Sequence, residues 1–338
     1  MRNRPGVSAA VTKCPMRPGH HAAQRRRLLG LMASLGGIAL ANGLAGWPTT
    51  ARGDADGKPR AQGDLIMRTI PASGEQIPAA GMGTYRSFDI DPDDAQAMAR
   101  LTAVMRAFVA GGGRVLDSSP MYGNAERVLG ELARQLAITD RLWLATKVWT
   151  RGNQAGIAQM NASFDRLGVE RLDLMQVHNL LDLDTQLATL KQWKAEGRLR
   201  YIGVSHYRSE RHDDLARLIE REPLDFVQFN YSLLERNAEQ RLLPACRDHG
   251  VATLINEPFA GGQFFRRTRG VPLPTWASDV GAESWAQLGL KYLIAHPAVT
   301  AVIPATGDPQ HAADNVAAGR GELPDAAMRQ RIVTAFEA

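Results

Sequence analysis

From residue 81 onward the chain alternates short apolar runs with amphipathic segments, and it does so eight times. The apolar runs are 81–85, 114–118, 142–148, 172–178, 201–205, 226–231, 252–256 and 300–305. Helical patterns fill the intervals at 91–109, 125–137, 156–167, 184–196, 210–220, 238–248, 283–295 and 309–318. Runs of this length suit buried strands, and strands joined through helices form parallel sheets, because the crossover needs a dozen or more residues. Eight βα units predict an α/β chain closed as a TIM (β/α)8 barrel over residues 65–338, rather than an open doubly wound sheet. No Gly-x-Gly-x-x-Gly follows the first run to mark a dinucleotide-binding turn of the Rossmann kind. Two strand-like pieces around Ser73-Gly74, within 65–78, predict an N-terminal β-hairpin that caps the barrel.

In such a barrel the chemistry gathers at the C-terminal ends of the strands. The sequence places a polar residue there repeatedly: Asp117, Lys147, His178, Ser205 and Gln228, with Tyr122 just beyond the second run. One polar strand end meets solvent in any protein, but several on one rim make a site. A carboxylate, a phenol, an ammonium and an imidazole suit proton transfer beside transfer of an electron pair. An ammonium near Tyr122 favours the phenolate and is expected to lower the phenol's pKa into a useful range. Asp117 is expected to hold Lys147 as an ion pair, since an unpaired buried ammonium is costly. His178 is placed to hydrogen-bond a substrate oxygen. The cluster lacks the second carboxylate that glycoside hydrolysis needs.

Residues 65 to about 318 resemble the aldo/keto reductases, NAD(P)H-dependent carbonyl reductases built on a TIM barrel. The resemblance rests on Leu116-Asp117-Ser118-Ser119-Pro120-Met121-Tyr122-Gly123-Asn124-Ala125-Glu126, then Ala145-Thr146-Lys147 and Val177-His178. Gly197-Arg198-Leu199-Arg200-Tyr201-Ile202-Gly203-Val204-Ser205 and Val227-Gln228-Phe229-Asn230-Tyr231 follow in family order. It implies a catalytic tetrad with Tyr122 as acid/base, Lys147 and Asp117 as its tuners and His178 as substrate orienter. It also implies that Gly83 and Thr84 approach the cofactor, that Ser205 and Gln228 hold the nicotinamide carboxamide, and that Thr306 and Asn315 serve the adenosine end. The implied cofactor is NADP, with NAD possible, and the substrate a small carbonyl compound.

Four positions depart from the family pattern. His206 replaces the usual Asn after Ser205, and Asn256 replaces a tyrosine that stacks on the nicotinamide. Ala305 stands for Lys or Gly, and His311 for the arginine common in NADPH-preferring members. The last two remove a cation and a bidentate guanidinium that would recognise a 2′-phosphate. Two other functions compete with the reductase: a module that binds cofactor or partner without turnover, and a Schiff-base lyase acting through Lys147. Substrate choice is expected to depend on residues 258–278, which carry Phe259, Phe264, Phe265 and Trp276, above an open pocket left by a short tail.

The 338-residue chain carries a formal net charge of +5, but its first 41 residues hold seven basic side chains and no acid. Without that segment the charge falls by seven, to −2, so the basic balance belongs to the leader and implies no polyanion partner. Arg25, Arg26 and Arg27 precede an apolar stretch, 28–41, that ends in Ala39-Leu40-Ala41. Basic segment, apolar core and small-x-small site are the parts of a secretory signal, and Gln24-Arg25-Arg26-Arg27-Leu28-Leu29 resembles the twin-arginine (Tat) motif. The stretch is shorter than the roughly 20 residues of a membrane span. Residues 1–41 are therefore expected to be a Tat-type signal peptide read by the Tat export machinery, and 42–64 a linker, giving a periplasmic or exported protein; the alternative is a cytoplasmic one. Beyond Cys14 in the leader, Cys246 is the one remaining cysteine, so the domain holds no internal disulfide. Replacing Arg25 and Arg26 together by Lys should trap the protein in the cytoplasm on cell fractionation; a wild-type protein found wholly cytoplasmic with its leader intact would exclude export.

Overall fold

The computed structural model describes residues 63–338; the expected signal peptide and nearly all of the expected linker lie outside them. A short antiparallel hairpin comes first, β1 (Met67–Thr69) and β2 (Gln76–Pro78), paired Met67 to Pro78 and Thr69 to Gln76. Eight parallel strands follow in chain order: β3 (Met82–Gly83), β4 (Val115–Asp117), β5 (Trp143–Val148), β6 (Leu172–His178), β7 (Leu199–His206), β8 (Phe226–Asn230), β9 (Ala252–Asn256) and β10 (Ala301–Val302). Parallel bridges from Ala80 to Val302 and from Gly83 to Ala305 join β3 to β10 and close the barrel. Seven of the eight apolar runs read from the sequence contain one of these strands, and the eighth, 201–205, lies within β7, which extends beyond it at both ends.

The helices are α1 (Ala95–Ala110), α2 (Ala125–Gln135), α3 (Asn153–Leu167), α4 (Leu183–Ala195), α5 (His212–Arg221), α6 (Leu242–Asp248), α7 (Gln263–Thr268), α8 (Trp285–Ile294), α9 (Pro309–Ala317) and α10 (Ala326–Glu337). Their ends follow capping chemistry more closely than hydrophobic period. The pattern at 91–109 starts four residues early because the Asp94 carboxylate accepts from the amides of Gln96 and Ala97 and fixes the first turn at Ala95. The pattern at 238–248 divides into a 3-10 turn (Asn237–Glu239) and α6.

The strand period of two divides the interior into two cores. Leu116, Leu144, Met175, Val204 and Val227 face the helices in the larger one. Val115, Trp143, Ala145, Leu174, Tyr201, Phe226, Leu254 and Ile303 fill the barrel, joined by Ile70 and Ile77 of the hairpin. The hairpin thus plugs the end at which the strands start. Its turn is tied down where the Ser73 hydroxyl meets the Tyr201 hydroxyl at 2.6 Å and Arg200 reaches the Glu75 carboxylate at 2.5 Å.

The short tail beyond Asn315, read from the sequence only as leaving an open pocket, folds into a helix of its own. Asp325 caps a three-turn helix, α10, through the Met328 amide. Arg267 of α7 donates to the carbonyls of Phe336 and Glu337, and the Phe264 and Phe336 rings stack at 5.2 Å. The tail therefore buttresses the loop between β9 and α8. Ile77→Ala should cost about 2–5 kcal/mol, the usual range for emptying a filled core position, while leaving turnover at the opposite end intact. Urea unfolding with parallel activity assays checks this; an unchanged midpoint would mean that the hairpin does not plug the barrel.

Candidate active site

The same period of two that buries Val115, Ala145 and Leu174 inside the barrel brings Asp117, Lys147, Gln176 and His178 inward on the last layers before the C-terminal mouth. Register then sets neighbours side by side: Lys147 beside Gln176, His178 beside Ser205, Ser205 beside Gln228. The Lys147 side chain is fully buried, and its Nζ donates to Asp117 Oδ2 at 2.6 Å and to the Ser118 carbonyl at 2.8 Å. The other carboxylate oxygen of Asp117 accepts from Gln228 Nε2 at 2.8 Å and Gln176 Nε2 at 3.3 Å. Ser205 Oγ donates to Gln228 Oε1 at 3.0 Å, and Asn256 Nδ2 reaches the same oxygen at 3.4 Å.

Tyr122 stands on the turn between β4 and α2, with its amide donating to the Ser119 carbonyl and its own carbonyl receiving the Ala125 amide. Its ring centre lies 5.1 Å from Lys147 Nζ, 5.9 Å from the His178 ring, edge on, and 5.0 Å from the Tyr85 ring. The four residues named as catalytic therefore meet in one cluster.

The electrostatics correct one expectation. Burial raises the Tyr122 phenol and Asp117 adds to it; Lys147 pulls the other way without winning, so the net direction is upward. Tyr122 keeps its proton at neutral pH, the state a proton donor needs. Burial by itself would lower the Lys147 ammonium, but Asp117 and Tyr122 outweigh it and hold it above the usual lysine range. His178 goes the other way: burial, then the charges of Lys147 and His206, push it down to about 2. Its imidazole is neutral, and Nδ1 lies 3.1 Å from Ser119 Oγ. If that hydroxyl donates, Nε2 carries the proton and can donate to a carbonyl oxygen.

The residues expected at the cofactor fall into two groups. Ser205 and Gln228 join the tetrad through Asp117. Thr84 is buried, and its hydroxyl lies 2.9 Å from Ser118 Oγ. Gly83 lacks the Cβ that would meet the Ile303 carbonyl oxygen at 2.9 Å, so only glycine lets β3 and β10 close here. Thr306 and Asn315 lie apart, on the β10–α9 side. Thr306 Oγ1 accepts the Asp308 amide at 3.1 Å, and Asn315 is buried on α9.

Gln176, Ser119 and Asn256 belong to this site as well, although only the last drew notice in the sequence, and then as a departure. Gln176 was legible by parity, two residues before His178 on one strand. Buried, unpartnered oxygens on Gln176 (Oε1) and Asn256 (Oδ1) mark a polar lining that awaits donors. His206 is buried and stacked on Tyr207 at 5.6 Å, with Nδ1 taken by the Arg208 amide.

Residues 80–331 match the model of the aldo/keto reductase family. A methylglyoxal reductase of Escherichia coli (strain K12) is 29% identical over 274 residues, covering 78% of this chain and 93% of that protein. An aldo/keto reductase of Klebsiella pneumoniae solved with NADP and acetate is 27% identical over 80% of this chain and 96% of its own, with a TM-score of 0.68. A second Klebsiella pneumoniae structure, with NADPH, is 26% identical over 81% and 96%, with a TM-score of 0.67.

With its folded pKa far below the unfolded value, His178 stays neutral while the unfolded chain takes up a proton below about pH 6.5. This group therefore withdraws stability as pH falls through that range and has no effect above it. Turnover should likewise show no inflection near pH 6.5 from His178. A kcat–pH profile with such an inflection, abolished in His178→Gln, would contradict the neutral imidazole.

Proposed function

The chain belongs to the aldo/keto reductase family, and on that premise we propose that Tyr122 donates the proton as an aldehyde or ketone is reduced to its alcohol with NAD(P)H. The single observation that carries the assignment of roles is the buried Lys147 ammonium, 2.6 Å from Asp117 and 5.1 Å from the Tyr122 ring centre. It stabilises the phenolate as the proton leaves, and Asp117 keeps that ammonium charged inside the barrel. His178, neutral and held at Nδ1 by Ser119, orients the carbonyl oxygen through Nε2. Lys147 is ill suited to Schiff-base chemistry, because a free amine must attack and Asp117 opposes its loss of a proton.

The lining fits a nicotinamide. Ser205, Gln228 and Asn256 present hydroxyl and amide groups at one side of the tetrad, including the unpartnered Asn256 oxygen, and the bare backbone at Gly83 keeps the β3 end low. The bound coenzyme supplies the hydride. At the adenosine end Ala305 and His311 are exposed, and the Asp308 carboxylate already accepts from the Gln310 and His311 amides at the start of α9. With those amides taken and no guanidinium to pair with a 2′-phosphate, selectivity for NADPH over NADH is modest. Comparing kcat/KM for both coenzymes measures it, and methylglyoxal, named for the Escherichia coli relative, is the first substrate to assay.

The leader supports an exported enzyme. Tat export carries folded proteins, and the single domain cysteine, Cys246, is buried, with burial pushing its thiol pKa up, so no disulfide ties folding to an oxidising compartment. Cofactor would then load in the cytoplasm and either stay bound or be recycled by a partner outside it. Tyr122→Phe should cut turnover by ~10²–10⁴-fold, the range for losing a general acid, while coenzyme still binds. NADPH fluorescence titration beside steady-state kinetics reads both quantities, and near wild-type turnover in this variant would sink the assignment.

A further inference from the structure

The reductase chemistry leaves the buried carboxylate of Glu126 unused. Glu126 is fully buried in the first turn of α2, four residues after Tyr122. An ionised side chain rarely sits there without partners, and Glu126 has partners on two other elements. Its Oε1 accepts from the Thr146 hydroxyl of β5 at 2.5 Å. Its Oε2 accepts from Ser163 Oγ at 3.1 Å and Arg166 Nε at 2.8 Å, both on α3.

Thr146 is the informative partner. It precedes Lys147 on β5, and the strand period turns the two side chains to opposite faces. Lys147 points into the barrel, where Asp117 holds it; Thr146 points out among the helices, where Glu126 holds it. The strand end is thus gripped by a carboxylate on each face. The outer carboxylate belongs to the helix whose preceding turn carries Tyr122. One helical turn further on, Gly130 has no side chain, and a Cβ there would lie 2.1 Å from the Arg166 carbonyl oxygen, so α2 seats directly on the end of α3.

We propose that Glu126 is a positioning residue that sets the separation of Tyr122 from Lys147, by locking the turn that bears the phenol to the strand that bears the ammonium. It touches neither substrate nor coenzyme. The proposal rests on the roles assigned to Tyr122 and Lys147, which the Tyr122→Phe experiment tests separately.

Thr146→Val tests the link with little risk to the fold. It keeps the side-chain shape and removes only the hydroxyl that joins Glu126 to β5, leaving Glu126 its Ser163 and Arg166 partners. A small displacement between reacting groups is expensive in rate, so kcat should fall about tenfold with KM and NADPH affinity unchanged. As the phenol slips from the ammonium, the high-pH limb of the kcat profile should also move upward, because the phenolate loses stabilisation by the positive charge. Thr146→Ser, which restores the hydroxyl, should recover both quantities. Arg166→Leu, scored by thermal unfolding and kcat together, is the comparison for purely structural loss: it should lower the melting temperature more than it lowers kcat. Wild-type kcat and pH profile in folded Thr146→Val would overturn the proposal. A fall in kcat that merely tracks loss of near-ultraviolet circular dichroism, without the limb shift, would overturn it equally.

Discussion

The site depends on keeping one ammonium charged inside a protein. Lys147 has no exposed surface, and burial by itself works against its charged form. Asp117 at 2.6 Å reverses that, and the structure around the pair exists largely to keep the carboxylate in place. Gln228 and Gln176 occupy its second oxygen, and the Ser118 carbonyl takes a further hydrogen of the ammonium. Removing one member of such a pair costs about 3–5 kcal/mol, because the other is left buried and uncompensated. The barrel supplies the rigidity that holds both.

The residues proposed to line the nicotinamide side also belong to this arrangement. Gln228 accepts from Ser205 and Asn256 at one end of its amide and donates to Asp117 at the other. On the proposed assignment, coenzyme recognition and tuning of the catalytic ammonium share one side chain, and a change at Asn256 or Ser205 can reach Lys147 through three successive hydrogen bonds, by way of Gln228 and Asp117. His178 stands outside that chain. Its neutrality comes from burial beside two other basic groups, Lys147 and His206, and its orientation from Ser119.

The two ends of the barrel are specialised differently. The end where the strands start is closed by apolar packing of Ile70 and Ile77 against Trp143, Tyr201 and Phe226. The other end is polar, and it carries exposed Tyr85, Trp149 and Tyr207 on the loops that follow β3, β5 and β7. α10 adds a brace from outside, holding α7 and with it the loop after β9.

The barrel, its hairpin plug and the gathering of polar side chains at one rim were legible in the sequence because each rests on local order. Strand period fixes which side chains face inward, and helical crossovers force parallel strands whose ends share a rim. The sequence alone therefore places Asp117, Lys147 and His178 together. The helix starts at Ala95 and Leu242 were not legible, since caps and 3-10 turns decide them within a residue or two. Nor was α10, whose apolar face acquires meaning only against α8 and α7. The direction of the Tyr122 shift needed the fold as well: sequence shows an ammonium nearby, but only packing shows that burial outweighs it. Glu126 is the clearest division between the two. Its place four residues after Tyr122 is written in the chain, whereas its grip on the back of the lysine strand arises only when three elements from different parts of the sequence pack around one carboxylate.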